Sequence, residues 1–176
     1  GHTYTKAGPA VIVNRFAGSA LYAYAARDNI NLYAYSTHAT DPSIKLDYRI
    51  TNGFGICRHK LALPDFALLL FSLGPVHEIE WFQGAAALPQ WRGVARLNGV
   101  RPLTERLEVA FDTFLTPAVP DPTDYRVFGE ASLKYKLTKI LSAKLTLADE
   151  YDARPLPGVV NNDVGLFTTL AVDWGR

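Results

Sequence analysis

The side chains most able to do chemistry lie in His77-Glu78-Ile79-Glu80, where an imidazole and two carboxylates fall within four residues, with His59 as a possible partner. A metal centre or an acid–base pair needs such groups to converge on one point. An extended chain points consecutive side chains to opposite faces, so His77 and Glu78 diverge, while Glu78 and Glu80 share a face as members of an ion-pair network. Ser72, His77 and Asp112 supply the residue types of a hydrolytic triad such as lipid-cleaving outer membrane barrels use, yet no local motif joins them. Gly53-Phe54-Gly55 lacks the following helix and the lysine-serine pair of a phosphate loop. Its glycines suit a bulge, or a place where a neighbouring Tyr or Phe lies over the backbone. Cys57 is the single cysteine, so no disulfide forms within the chain, and it reads as a small hydrophobe and not as a nucleophile. No catalytic residue, cofactor or metal is expected, and the chain reads as non-enzymatic.

What these residues sit on is clearest in the C-terminal third. Leu107, Val109, Phe111, Thr113 and Leu115 alternate with Arg106, Glu108, Ala110 and Asp112. Tyr125, Val127, Gly129, Ala131, Leu133, Tyr135 and Leu137 alternate with Arg126, Phe128, Glu130, Ser132, Lys134 and Lys136. Leu141, Ala143, Leu145 and Leu147 oppose Ser142, Lys144, Thr146 and Glu150, and a last run carries Val164, Leu166, Thr168, Leu170, Val172 and Trp174. A period of two means strands with one apolar and one polar face. Tight connections (101–104 and 138–140) alternate with longer loops (116–124 and 153–162), the wiring of an up-and-down membrane barrel.

Upstream the pattern is less regular. Residues 3–14 form an irregular or edge strand broken by Gly8-Pro9. Residues 16–26 and 29–37 suggest a hairpin around Arg27-Asp28-Asn29, with Tyr22, Tyr24, Tyr33 and Tyr35 suited to a water–hydrocarbon boundary. Ile44 to Ile50 alternates cleanly, Asn52-Gly53 reads as a turn, and Phe54 to Leu61 as the returning strand. Residues 66–82 and 91–101 complete a count of about eleven. Bacterial single-chain barrels have an even number of strands, so either 3–14 hides two pieces, giving twelve, or one early hairpin is not a hairpin, giving ten.

Composition bounds the reading. The chain of 176 residues is of single-domain size, with a formal net charge of +1, which points to no polyanion-binding stripe and no nucleic acid. No apolar run reaches the roughly 20 residues of a helical span. Gly1-His2 opens the sequence without methionine, as expected of a chain from which an export signal has been removed.

With lipid outside, the inward face carries Lys45, Asp47, Arg49, Arg58, Lys60, Glu78 and Glu80 in the first half. The second half adds Arg92, Arg96, Arg106, Glu108, Asp112, Arg126, Glu130, Lys134, Lys144 and Glu150. In a narrow barrel these mixed charges pair across the lumen and occlude it. Trp81, Trp91, Tyr125, Tyr135 and Trp174 fall near strand ends, as interface aromatics do.

The segment from Gly129 to Thr138 with its return strand, Leu156-Pro157-Gly158-Val159-Val160-Asn161-Asn162-Asp163 before the closing strand, and Gly53-Phe54-Gly55 followed by Leu68 to Glu80 carry a resemblance. Over roughly residues 44–174 the chain resembles the YdiY-like, salt-stress-induced outer membrane proteins, a family of unknown function. The expectation is one all-β domain over 1–176, an up-and-down antiparallel transmembrane β-barrel of 10–12 strands in the outer membrane of a Gram-negative envelope. Its partners are the lipid bilayer and, through the C-terminal strand, the insertion machinery, and it is expected to be monomeric. The resemblance implies a link to salt or osmotic stress. Two alternatives stay open: a porin-like narrow channel for small solutes, and a soluble barrel that encloses an apolar ligand behind Leu107, Leu133 and Leu145.

Overall fold

Side-chain alternation over most of the chain produces strands and almost nothing else. The computed structural model describes residues 2–7, 10–59 and 65–172, with side chains from residue 16 onward, residue 43 excepted. In order these are β1 (His2–Ala7), β2 (Ala10–Arg27), β3 (Ile30–Asp41), a 3-10 turn (Pro42–Ile44), β4 (Leu46–His59) and β5 (Leu68–Phe82). There follow β6 (Leu88–Pro102), β7 (Leu107–Val119), β8 (Tyr125–Lys136), β9 (Leu141–Asp152) and β10 (Asn162–Val172). Each strand pairs antiparallel with its chain neighbour, which gives one ten-stranded up-and-down sheet from β1 to β10. Among the described residues no helix is long and apolar enough to cross a membrane.

The sheet curls. One cavity is lined by residues from Ala17 on β2 through Tyr33, Arg49, Ser72, Arg92, Phe114 and Arg126 to Glu150 on β9. A second is lined by Phe16 on β2 and also by Asp163 on β10. Strands that far apart in the ladder share a cavity only if the sheet wraps round on itself. The wall is ladder-like for most of its circumference, and β1 and β10 are the two ends of the described pairing.

The polarity is inverted relative to a soluble barrel. On β8 and β9, Leu133 and Leu145 are 42% and 46% exposed, whereas their neighbours Ser132, Ser142 and Thr146 are 7%, 2% and 7% exposed. The soluble alternative needed Leu107, Leu133 and Leu145 around an internal cavity; neither cavity is lined by them. Period two has put serine, threonine and charge inside, and leucine outside.

Ten strands, and not eleven, result from one correction. Residues 44–61 are not a hairpin: β4 runs unbroken from Leu46 to His59, straight through Asn52-Gly53. The turn dipeptide is overridden because both its residues sit in ladders, Asn52 opposite Ser36 and His77, and Gly53 opposite Tyr35 and Val76. Gly53 is where the Tyr35 ring lies: a Cβ there would run into it. Gly55 and Gly74 form a closer contact, since a Cβ on Gly55 would overlap the Leu73 carbonyl oxygen and one on Gly74 the Phe54 carbonyl oxygen. The β4/β5 pairing lapses at this pinch, between Gly53↔Val76 and Ile56↔Leu73, beside Pro75, which has no N–H to give. In the N-terminal segment the expected strand over 3–14 is divided: among the described residues β1 pairs with residues 10–16 of β2 alone, β2 runs on to Arg27, and Gly8-Pro9 lies outside the described residues.

Turn chemistry fixes one end. Leu103-Thr104-Glu105-Arg106-Leu107 and Leu137-Thr138-Lys139-Ile140-Leu141 are the same motif. In each the threonine Oγ1 accepts from the backbone N–H of the second leucine, at 3.0 Å in both. This end also holds the Asp28-Asn29 turn, while the connections 42–45, 83–87, 120–124 and 153–161 lie at the other, here termed the loop end.

Gly55→Ala or Gly74→Ala is expected to destabilise the fold by about 2–3 kcal/mol, the range of backbone-shifting overpacking. Gly129→Ala, where nothing lies within 4 Å of an added Cβ, is expected to change stability by under about 0.5 kcal/mol. Urea midpoints of the three variants check the order.

Candidate functional site

Register places the central charges. In the β4/β5 pair Arg49 lies opposite Glu80 and Thr51 opposite Glu78, all on the inward face. Arg49 Nε donates to Glu80 Oε1 at 2.7 Å, and Thr51 Oγ1 to Glu78 Oε2 at 3.3 Å. From the opposite wall Arg126 on β8 reaches over: its Nη1 donates to Glu78 Oε1 at 2.7 Å and its Nη2 to both Glu80 oxygens at 3.1 Å. Its Nε is held by Asp152 at 2.9 Å. Arg92 on β6, only 3% exposed, stands 3.3 Å from Glu78 and 3.2 Å from Asp124, and its Nη1 donates to the Thr116 carbonyl at 3.2 Å. Gln90 joins by accepting from Arg92 at 2.8 Å and donating to Asp124 at 3.0 Å.

The result is a partition across the lumen. Three guanidiniums and four carboxylates from β4, β5, β6, β8, β9 and the 120–124 loop interlock, so that the three arginines and both glutamates each have more than one opposite partner. That arrangement offsets the several kcal/mol that desolvating each ion costs. Arg49, Arg92 and Arg126 line both cavities. The partition therefore separates an inner chamber of about 670 Å³ from a vestibule of about 370 Å³ at the loop end.

A second tier lies toward the turn end. Arg96 grips Asp112 through two nitrogens, Nε at 2.7 Å and Nη2, and Lys144 Nζ stands 3.2 Å from Glu130. Glu108 is opposite Lys134 in the β7/β8 register, and Lys134 opposite Lys144 in β8/β9.

Four of the expected lumen charges stand elsewhere. Lys45 occupies the β3/β4 turn with a φ of 59°. Asp47 is exposed at a register shift between Leu46 and Tyr48, a bulge that turns Leu46 inward and Tyr48 outward. Arg58 falls on the outward face beside Phe71, because Gly53, Gly55 and Cys57 take the inward positions of β4 once no turn intervenes. Arg106 is in the 103–106 turn, where its carbonyl accepts from Lys136 N at 2.8 Å. Lys60 lies outside the described residues, and Glu150 lines both cavities. Sequence reasoning missed Asp124, Asp152, Gln90 and Thr51. The carboxylates lie in a Pro-rich loop and at a strand's end, where periodicity is silent.

The chemistry considered from sequence is not assembled. His77 faces outward with its ring 4.9 Å from Trp91, away from inward Glu78, Ser72 and Asp112. Among the described residues no group of three or more His, Cys, Asp or Glu is placed to hold a metal ion.

The outward aromatics form a band at the loop end: Trp81 packs on Tyr48 at 5.8 Å and Tyr125 on Tyr151 at 5.9 Å, with Trp91 51% exposed. Tyr135, 43% exposed, stands at the turn end. Trp174 lies outside the described residues. Tyr125 and Tyr135 are ten residues apart on β8, roughly 33 Å of strand at about 3.3 Å per residue, or about 25 Å of height at a tilt near 40°.

The 120–124 loop is pinned by its own charges. Burial alone would raise the Asp124 carboxyl, but the Gln90 amide and the Arg92 guanidinium outweigh it and hold it below its ordinary value of 3.8. Asp121 is likewise lowered, by the Thr123 hydroxyl and N–H first and then by Arg154.

A fold of inward charge and outward hydrocarbon defines the class: an antiparallel up-and-down β-sheet wrapped round an ion-paired interior. The chain belongs to the DUF481 family, proteins of unknown function, whose family model matches residues 3–174. Neither a curated protein nor a solved structure matches it.

Arg126→Ala is expected to cost about 3–5 kcal/mol, because Glu78 and Glu80 stay buried without their shared partner. Chemical denaturation of wild type and variant measures the loss. For Asp124, a depressed pKa gives stability that is present above the unfolded value and lost as pH falls through the lower folded value. Amide protection in 120–124 is therefore expected to hold down to about pH 4 and to fail below it, while Asp124→Asn reduces this pH dependence and leaves the share that Asp121 carries.

Proposed function

We propose that the chain is a lipid-embedded β-barrel of the bacterial outer membrane whose lumen is shut by the Arg126 partition. The observation that carries this reading is the inverted polarity: Leu133, Leu145, Leu147, Leu166 and Leu170 are all outward and 42–68% exposed, while the buried polar set includes Glu78, Glu80 and Arg92. In water that apolar surface would be an aggregation liability far above the few hundred Å² a soluble monomer exposes. In hydrocarbon it is the expected wall, and the spacing of Tyr125 and Tyr135 matches a band about 25 Å tall. Asp149 shares the outward face beside Gly129 and Val164. It lies two residues from Tyr151, close enough to the loop-end interface for the cost of a charge to be small.

The protein acts in this reading as a closed, monomeric envelope barrel without enzymatic activity, inserted by way of its last strand. The resemblance adds a role in salt or osmotic stress. A partition of multiply paired, buried ions suits that setting, since buried pairs are screened by salt far less than surface ones such as Arg101–Asp65.

Purification with and without detergent, heat-modifiable gel migration and planar-bilayer recording test the proposal. The expected result is a detergent-requiring, heat-modifiable protein with no resolved conductance, in which Arg126→Ala opens small, discrete steps. A wild type that conducts would hand the reading to a narrow solute channel, and a monodisperse protein in plain buffer would overturn the membrane placement.

A further inference from the structure

The inner chamber contains donors that the partition does not use. Tyr33 and Tyr35 on β3 both face it, with rings stacked 6.1 Å apart, and among the described residues neither hydroxyl has a hydrogen-bond partner. Arg96 on β6 lines the same space and lies within electrostatic reach of both tyrosines. Its Nε and Nη2 are occupied by Asp112, but its Nη1 donates to no described residue. Asp112 does not line the chamber, so the acceptor that satisfies two of the Arg96 nitrogens leaves the third without an acceptor among the described residues; the carboxylates that do line the chamber are Glu78, held by the partition, and Glu150.

Across the lumen stand Phe114 on β7 and Phe128 on β8, stacked 4.8 Å apart. In the ten-strand order β3 and β8 are five strands apart, so the tyrosine pair and the phenylalanine pair belong to opposite walls. Gly53 lets the Tyr35 ring lie flat against β4, which keeps the space between the walls open. Leu70 and Val94 complete an apolar lining. The volume, about 670 Å³, is in the range of small-molecule pockets, and a few polar groups set among apolar walls is how such pockets select their ligands.

We infer that the inner chamber is a binding site for a small amphiphilic carboxylate. The carboxylate accepts from Tyr33 Oη, Tyr35 Oη and Arg96 Nη1, and the apolar body lies against Phe114 and Phe128. Three donors without an acceptor partner match an acceptor-only anion, and the arginines among the lining residues (Arg49, Arg92, Arg96 and Arg126) outnumber the glutamates (Glu78 and Glu150). Of the two lining glutamates, Glu78 is spent on the partition, and Glu150 stands beside Phe128 in the β8/β9 register, on the wall away from the tyrosines. The inference goes beyond the closed-barrel reading and does not depend on where the protein resides, only on the inside of the sheet.

Calorimetric titration of the full chain with 4-phenylbutanoate tests it, in nanodiscs of zwitterionic lipid, or in plain buffer should the protein prove soluble there. Failure of the membrane reading thus leaves this test intact. The expected result is saturable binding of the acid, with 4-phenylbutanamide and 4-phenylbutylamine at least about tenfold weaker, the scale of hydrogen bonds to a charged group. Tyr33→Phe with Tyr35→Phe keeps both rings and their packing; it is expected to weaken the acid about tenfold or more and the amide by less, while leaving the urea midpoint unchanged. Equal affinity for acid and amide overturns the inference, as does equal affinity of wild type and double variant, a preference for the amine, or no binding of the acid at millimolar concentration.

Discussion

Arg126 reaches from β8 to Glu78 and Glu80 on β5, and this bond across the lumen answers a problem that the inverted sheet creates. A wall that turns its leucines outward keeps too little apolar volume to fill its centre: Phe114, Phe128, Leu70 and Val94 line the chamber without closing it. Among the described residues the buried hydrophobics are few (Leu46, Leu69, Val76, Phe82 and Ala118), and they do not form a core. The middle must be filled by polar groups, and polar groups out of water must be paired. A guanidinium that spans the lumen satisfies both demands, since one side chain occupies the space and three carboxylates share its charge.

From that bond the rest follows in layers. Arg49 and Arg92 are needed because Glu78 and Glu80 bring two adjacent negative charges, more than one arginine neutralises. Asp124 and Asp152 take up the donors of Arg92 and Arg126 that the glutamates leave over. Asp124 therefore belongs to the interior, tied by Gln90 and Arg92, while residues 120–123 of the same loop stay exposed. Backbone geometry cooperates: the pinch at Gly55 and Gly74 brings β4 and β5 close on the wall that carries Arg49, Glu78 and Glu80. The charges of the partition gather toward the loop end, leaving the tyrosine- and phenylalanine-lined chamber between them and the Arg96–Asp112 tier.

Much of this was legible in the chain. The period-two runs from Leu107 onward gave β7 to β10 with their faces assigned, and the Leu-Thr-x-x-Leu turns fell where the runs stopped. Glu78 and Glu80 could be placed on one face, and His77 on the other, from the pleat alone. What failed did so for local reasons. Asn52-Gly53 has the chemistry of a tight turn, but ladder partners on both sides outweigh a dipeptide's preference, and Gly53 serves the Tyr35 ring instead. That error moved Arg58 to the wrong face, since strand parity propagates from wherever the strand is thought to begin. A bulge at Asp47 is likewise invisible in sequence, and it exchanged the faces of Leu46 and Tyr48. Asp124 and Asp152 could not be found by periodicity because neither sits within a clean alternation. Only the position of Asp124, directly ahead of the Tyr125 run, hinted at a role for it.

The central claim is that the leucine face meets hydrocarbon and the serine and threonine face does not. Spin labels placed singly along Ala143 to Leu147 on β9, in the reconstituted protein, measure this directly through collision with oxygen and with a water-soluble nickel chelate. The account predicts a period of two, with oxygen accessibility high at Ala143, Leu145 and Leu147 and low for both reagents at Lys144 and Thr146. A reversed period, with the nickel reagent reaching Leu145 and Leu147 as freely as oxygen does, would contradict it.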